Sequence, residues 1–445
     1  MRATPQIKLA LLMQAAAGVH PASWMHPHAV KGAANSIEYY AGMAATAERG
    51  LFDLFFIADT PAARTRDLHA WSRYPLFMNT LEPITLLAAI AATTKRIGLG
   101  GTASTSFSEP YNLARQFATL DHVSHGRAAW NVVTSANEYV AQNFGQDELP
   151  PHADRYERAR EFVQVVQALW DTYEDGAVVE DRASGQYFDP EKFHALEHRG
   201  KHFSVRGALN LARTPQGQPV IIQAGASETG KEFAAQVAEI VFGTATDLDD
   251  AKAFYADLKS RMAKYGRDPS QMKILVGKGI MTGATRAEAE DKFDALQALM
   301  HPTVGRFFLG NDLEMDLSDL PLDEPIPPAL IPKEARFHQA YFAQIVEMIR
   351  TENPTLRQLY MRYERGRATF KGTPADVADH MQEWMEAGAA DGFMLTFNQL
   401  PQNFDAFVDG VIPELQRRGL YRTQYEGSTL REHLGLAQPA NRHAA

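Results

Sequence analysis

Four stretches of the chain hold residue types whose spacing could support chemistry. Gly98-Leu99-Gly100-Gly101-Thr102-Ala103 fits G-x-G-x-x-A, but a dinucleotide loop needs a helix opening at that point and an acid about 20 residues on. Here Ser104-Thr105-Ser106-Phe107 follows and the next helical pattern waits until Glu109. The small residues are therefore read as a strand end that lets a flat ligand approach the backbone. Gln223-Ala224-Gly225-Ala226-Ser227-Glu228-Thr229-Gly230 joins a strand-like run to a helix-like one. Ser227 can cap that helix, and the first-turn N–H groups then face outward as a ready anion or phosphate site. A plain αβ connection with a serine cap explains the same residues equally well, and the Glu228 carboxylate would compete for the positive helix end. His152 and Tyr156 stand at i and i+4, so on a helix their polar tips share one side and could hold a ring or phosphate edge. Their bland reading is a helix-starting His and a core Tyr. Asp59 directly follows the apolar run 54–58, where a carboxylate sits at the carboxyl end of a strand or caps a loop.

Other chemistry lacks support. His26-Pro27-His28 is a tempting metal pair, but no HExxH, third ligand or acidic cluster accompanies it, and no metal is expected. There is no G-x-S-x-G elbow and no Walker loop, which disfavours a serine hydrolase or P-loop enzyme. Cysteine is absent, which removes disulfides, thiolate metal sites and cysteine nucleophiles together.

The elements that must position these residues are legible as alternating patterns. Eight short apolar runs read as strands: 7–13, 54–58, 97–105, 128–134, 219–224, 238–244, 273–281 and 392–397. Several are apolar on both alternating faces, as in a parallel sheet covered on both sides. Helical patterns lie between them, at 37–48, 83–94, 113–124 with Ser108 as cap, and 154–170, and Thr373-Pro374-Ala375-Asp376 opens another. Strands alternating with helices predict an α/β fold, a (β/α)8 TIM barrel with insertions, with an open doubly wound sheet as the rival. The chain has 445 residues, well above the roughly 250 of a typical barrel. The largest surplus, 284–390, lies between strands 7 and 8 and contains five prolines from Pro321 to Pro332. It is read as a lid over the strand ends plus a barrel helix, with peripheral decoration as the alternative. Residues 401–445 form a C-terminal extension to a single domain.

Composition narrows the partners. Lys plus Arg is 44 against 54 Asp plus Glu, a formal charge of −10, and there is no concentrated cationic block of the kind a nucleic-acid backbone requires. No run reaches the ~18–20 apolar residues that span a bilayer, and the start lacks the apolar core of a signal peptide. A soluble, cytoplasmic protein is expected.

A series of motifs then carries a family resemblance. Thr102-Ala103-Ser104-Thr105, Glu109-Pro110-Tyr111, Ala114-Arg115, Leu120-Asp121-His122, Gly126-Arg127-Ala128 and Trp130-Asn131-Val132-Val133-Thr134-Ser135-Ala136-Asn137 occur in order. They are followed by Asn143-Phe144-Gly145, Arg155-Tyr156, Leu169-Trp170-Asp171, Val205-Arg206-Gly207, Pro215-Gln216-Gly217, Gln223-Ala224-Gly225, the run 413–419 and the run 425–431. Nearly the whole chain thus resembles the bacterial luciferase-like flavin monooxygenases. Within them it resembles the subgroup of nitrilotriacetate monooxygenase component A, EDTA monooxygenase and dibenzothiophene sulfone monooxygenase.

The resemblance implies a TIM barrel that takes reduced FMN (FMNH2) from a separate NAD(P)H:flavin reductase. With O2 it would form a flavin C4a-(hydro)peroxide that oxidises a small organosulfur or amine or polycarboxylate compound, as in xenobiotic degradation. Such a cofactor carries the hard chemistry itself. Family roles carry over to Asp59, Thr102, Ser104, His152, Tyr156, Ala226 and Ser227 as the flavin site, and the resemblance also implies a homodimer or homotetramer. Ala226 departs from relatives with two consecutive serines, so one phosphate contact would be missing. His26 and Phe107, with Trp24, are assigned to the substrate side. Trp24-Met25 stands where relatives often carry Trp-Arg, so the first loop lacks an arginine that would meet a substrate carboxylate. Two alternatives remain open at this level: hydride transfer with a deazaflavin or flavin on the same barrel, and a non-catalytic flavin-binding protein.

Overall fold

The computed structural model describes residues 6–243, 245, 247–334, 339–362 and 369–444. Thr244, the last residue of the sixth expected strand, lies outside the described residues, as do parts of the expected insertion. All eight strands form: β1 (Lys8–Met13), β2 (Leu54–Ile57), β3 (Gly98–Ser104), β4 (Ala128–Val133), β5 (Val220–Gln223), β6 (Ile240–Gly243), β7 (Lys273–Thr282) and β8 (Gly392–Phe397). Each is parallel to the next, β7 pairs with β8, and β8 returns to β1 with Lys8 opposite Gly392. The ring is therefore closed, and the open-sheet alternative falls.

Closure explains why the strands are apolar on both faces. Ala10, Leu12, Leu54, Phe56, Ala129, Val220, Ile222, Ile240, Leu275 and Met394 fill the barrel interior. The alternate residues Leu9, Leu11, Phe55, Leu99, Trp130, Ile221, Phe393 and Leu395 pack outward against the helices. The G-x-G-x-x-A stretch belongs to this packing. A Cβ at Gly98 would lie 2.5 Å from the Leu430 side chain, and one at Gly100 would meet Ile222, Leu54 and Phe56 at 3.2 Å. These glycines make room for side chains rather than for a ligand, which corrects the reading of that stretch; Thr102 and Ser104 lie further along, toward the open end.

Local signals set the helix starts. Ser36 accepts from the Tyr39 N–H and opens Ile37–Arg49; Glu82 accepts from Ile84 and Thr85 and opens Pro83–Ala91. Thr373 and Asp376 form a reciprocal capping box before Pro374–Glu386. The helix Pro110–Val123 starts after Glu109 rather than Ser108, with Pro110 in its first turn. Two surface hairpins, Val178–Asp181 with Gln186–Phe188 and Leu196–Arg199 with Ser204–Gly207, precede β5. Their strands are largely exposed and polar, so no apolar alternation announced them.

The long β7–β8 connection carries the helices Arg286–Ala298, Pro302–Leu313, Gln339–Glu352 and Leu356–Arg362. Leu309, Leu313, Ile326, Ile345, Leu356 and Tyr360 give it a small apolar core of its own. Thr369–Gly372 pairs with Gly279–Thr282, the part of β7 that rises past most of its pairing with β8. No described helix is long and apolar enough to cross a membrane.

The C-terminal residues do two jobs. Gln402–Ala406 through Ile412–Arg417 packs in the outer shell as the helix following β8, with Phe404, Phe407, Val411 and Leu415 buried there. The chain then crosses the amino-terminal base of the barrel. Leu430, Leu434 and Leu436 join the interior cluster from below, and the Leu430 N–H donates to Gly126 O at 3.0 Å. The Arg422 guanidinium pairs with fully buried Asp53, which also accepts from the Leu9 N–H. Arg431 donates to Gln218 O and meets Glu239. Leu430→Ala opens a void at this base that flanking strands cannot collapse into, and should lower unfolding stability by about 2–5 kcal/mol, read by urea denaturation. A loss below half a kcal/mol, within the error of such an experiment, would show that the tail is not a plug.

Candidate active site

The carboxyl ends of the eight strands converge on the face where barrel sites lie, and the structure arranges two arcs there. The first arc runs over β2 to β5. The Thr102 hydroxyl donates to Ile57 O at 3.2 Å and accepts from the Asn131 amide at 2.9 Å. Asn131 is buried, and among the described residues its Oδ1 has no hydrogen-bond partner. Ser104 and Ser135 share a hydrogen bond of 2.8 Å that ties the β3 end to the β4 loop. Beyond them, Phe107 stacks on Phe144 with ring centres 4.8 Å apart.

His152 is the first residue of the helix His152–Trp170, and its ring lies 4.8 Å from that of Tyr156. The two project on one side as their spacing predicts. Tyr156 also packs edge-on to Phe233, so its ring serves the core while its hydroxyl reaches the loop after β5. There Gly225 and Gly230 allow a close approach: a Cβ on either would lie 3.0 Å from the Tyr156 oxygen. Ser227 caps the helix Glu228–Val237 by accepting from the Gly230 N–H at 3.1 Å. The N–H groups of residues 226 to 229 have no partner among the described residues. Glu228 does not compete for that helix end, because its carboxylate turns to Lys231 and Arg261 at 2.5 and 2.7 Å. Those two cations hold its carboxyl below the usual range. Ala226 is exposed.

Asp59 lines a separate hollow of about 310 Å³ with Thr60, Phe77, Met78, Asn79 and Glu82. Burial, and then the neighbouring Glu82 carboxylate, push its carboxyl up to about 6.

The second arc is a cavity of about 560 Å³ over β6, β7, β8 and β1. Its floor is Leu12, Gln14, Phe242, Gly277, Gly279, Thr396 and Asn398; its roof comes from the β7–β8 insertion, including Phe293, Gln297, Met300, Phe308, Tyr341 and Tyr360. Arg64, Trp71 and Tyr74, from the loop after β2, form one side. His20 links first loop and roof. Its Nδ1 accepts from the Ala22 N–H, so Nε2 is the protonated nitrogen and donates to Gln297 Oε1 at 2.7 Å; Gln297 in turn donates to Met361 O.

None of the residues selected from the sequence lines this cavity. Trp24 is exposed and donates from its indole to Arg73 O. The His26 ring lies 5.4 Å from that of His28 and receives the His28 N–H, and burial, then His28, lower its pKa. His20, Arg64, Trp71 and the roof aromatics were missed because nothing in their local sequence marks them: they meet only through barrel closure and a 100-residue excursion. The one available signal was the insertion's position after β7.

A luciferase-like monooxygenase profile matches residues 13–391. The chain belongs to the bacterial luciferase-like monooxygenase family. It is 47% identical over 450 residues to nitrilotriacetate monooxygenase component A of Aminobacter aminovorans, covering 99% of each chain. Among solved structures it is similar to EDTA monooxygenase from Chelativorans sp. BNC1, at 34% identity and a TM-score of 0.79, covering 98% of this chain and 100% of that one. It is also similar to a riboflavin lyase solved with modified FMN and riboflavin, at 29% identity and a TM-score of 0.82, covering 98% and 97%. The first two of these relatives belong to the subgroup the motifs pointed to, and the chain is a flavin-dependent monooxygenase.

The first arc fits such a group. It offers an orphaned buried amide oxygen at Asn131, unpartnered N–H groups at 226–229, and a glycine-lined close approach beside Tyr156. The raised Asp59 pKa has a consequence for stability. The folded protein binds the Asp59 proton more tightly than the unfolded chain, whose carboxyl titrates near its ordinary value of about 3.9. Stability therefore declines as pH rises from about 4 to 6 and stays lowered above that window. Asp59→Asn should gain about 1–2 kcal/mol on the wild type between pH 4 and pH 7.5, measured by denaturant unfolding at both pH values; parallel wild-type and variant profiles would contradict it.

Proposed function

We propose that the protein is the oxygenating component of a two-component system, taking reduced FMN from a separate NAD(P)H:flavin reductase and using O2 to oxidise a small organic compound. The observation that carries this reading is the pair of facing arcs at one barrel mouth. One offers a phosphate-type helix end and a flat polar approach, and the other an aromatic-walled cavity roofed by the insertion. The Aminobacter relative is the component A of its system, which supports a separate reductase.

In this reading Ser227, with the backbone N–H groups from Ala226 onward, holds the FMN phosphate. The Ser227 hydroxyl accepts from Gly230, so its own proton is free to donate outward. His152 and Tyr156 flank the isoalloxazine, Thr102, Ser104 and Asn131 meet its polar edge, and Asp59 lies toward the β2 side. The bound reduced flavin supplies the electrons that activate O2. The protein orients substrate against it and keeps water out. The insertion acts as the lid, latched through His20 and Gln297. His26, Phe107 and Trp24 lie outside the cavity wall.

Anaerobic titration with reduced FMN tests the reading: saturable binding, followed on O2 admission by reoxidation slower than that of free flavin and by oxygenated product from a substrate panel, is expected. Absence of binding would end it. Ser227→Ala should weaken reduced-FMN affinity by about 0.5–1.5 kcal/mol, read as a shift in the titration midpoint; an unchanged midpoint would assign the anion to the backbone alone.

A further inference from the structure

The charge lining the 560 Å³ cavity is one-sided. No Asp or Glu is among the described residues that line it, although the chain carries a net charge of −10. Two cations belong to its wall, Arg64 and Lys278. The Lys278 side chain points outward by the alternation of β7: its ammonium sits 4.0 Å over Trp384 and donates to Ala245 O. Arg64 is held differently. Its guanidinium stacks 3.8 Å over Trp71, itself a wall residue, and Nη1 donates to Leu76 O at 2.8 Å. Among the described residues, Nε and Nη2 have no hydrogen-bond partner and no carboxylate pairs with the group. It also lies 5.7 Å from the ring of Tyr139, in the short helix Glu138–Asn143 that follows β4, which puts it where the cavity adjoins the first arc.

A half-buried guanidinium, oriented by an aromatic face and one carbonyl yet left with a free fork edge, is built to receive a planar anion. The surrounding wall of Tyr74, Phe242, Phe293, Phe308 and Tyr360 is suited to an apolar body. We propose that the substrate is a small organic carboxylate with an apolar body, and that Arg64 is the residue that selects it by pairing with the carboxylate. The arginine missing from the first loop at Met25 is thereby replaced from the loop after β2. This rests on the reading of the cavity as the substrate site.

The test uses FMN-loaded protein and isothermal titration with (benzylthio)acetate, 3-(benzylthio)propanoate and 2-(benzylthio)succinate, each beside its methyl ester. At least one acid should bind about tenfold or more tightly than its ester. Arg64→Gln should erase that preference while the ester affinity and the reduced-FMN titration stay within twofold of wild type, a factor below half a kcal/mol. Arg64→Lys should retain part of it. If no acid outbinds its ester in the wild type, or if the preference survives in Arg64→Gln, the proposal is overturned. The wild-type comparison decides even if the variants fail to fold. Failure of the cofactor reading is separate: it would appear as loss of reduced-FMN binding in the wild type, whatever the acid preference.

Discussion

A closed ring of eight strands must fill its own interior, and this requirement governs the rest of the molecule. Ten strand residues do most of it, but the amino-terminal end is completed by Leu430, Leu434 and Leu436, which return from the far end of the chain. With the base sealed by apolar side chains, the inward polar positions Gln14, Thr102, Asn131, Thr396 and Asn398 all fall at the opposite end. A buried polar group there needs a partner or a ligand, and the unpartnered Asn131 Oδ1 is the clearest instance. The polarity of the barrel, dry below and functional above, thus follows from the plug.

Many of the motifs that make the family resemblance belong to the sealed end. The Arg127 guanidinium donates to Ser124 O, Thr94 Oγ1, Ile97 O, Ala91 O and Thr94 O. It thereby ties the connections before β3 and β4 together. Gln216 donates to both Asp121 and Ala128 O, and Asp121 accepts from the Ala128 N–H. Such networks tolerate little change, since removing one member strands a buried polar partner. The opposite face carries the loops, and there the residues around the cavity can vary while the scaffold holds.

The two arcs differ in how they are held. The flavin-type arc is built from strand ends, one helix start and one capped helix, all close to the barrel frame. The cavity is assembled from four connections, and its roof has its own small core and a latch from Gln297 to His20. A rigid cofactor platform under a separately packed roof suits a reaction in which a reactive cofactor must be shielded while different compounds are admitted.

The eight strands were legible from local pattern as short apolar runs alternating with helices, several of them apolar on both faces, as doubly covered parallel strands require. The Thr373 cap and the His152–Tyr156 spacing were legible for a similar reason: the interactions involved span three or four residues. Local pattern misread Gly98 and Gly100: Gly98 makes room for Leu430, more than 300 positions away, and Gly100 for Ile222, Leu54 and Phe56 on other strands. It also passed over the polar hairpins, which bury no apolar face. Chain order likewise could not decide between an open and a closed sheet, since only the pairing of β8 with β1 distinguishes them. The cavity wall was the least accessible, because Arg64, His20 and Gln297 become neighbours only once the ring closes and the long connection folds back over its mouth.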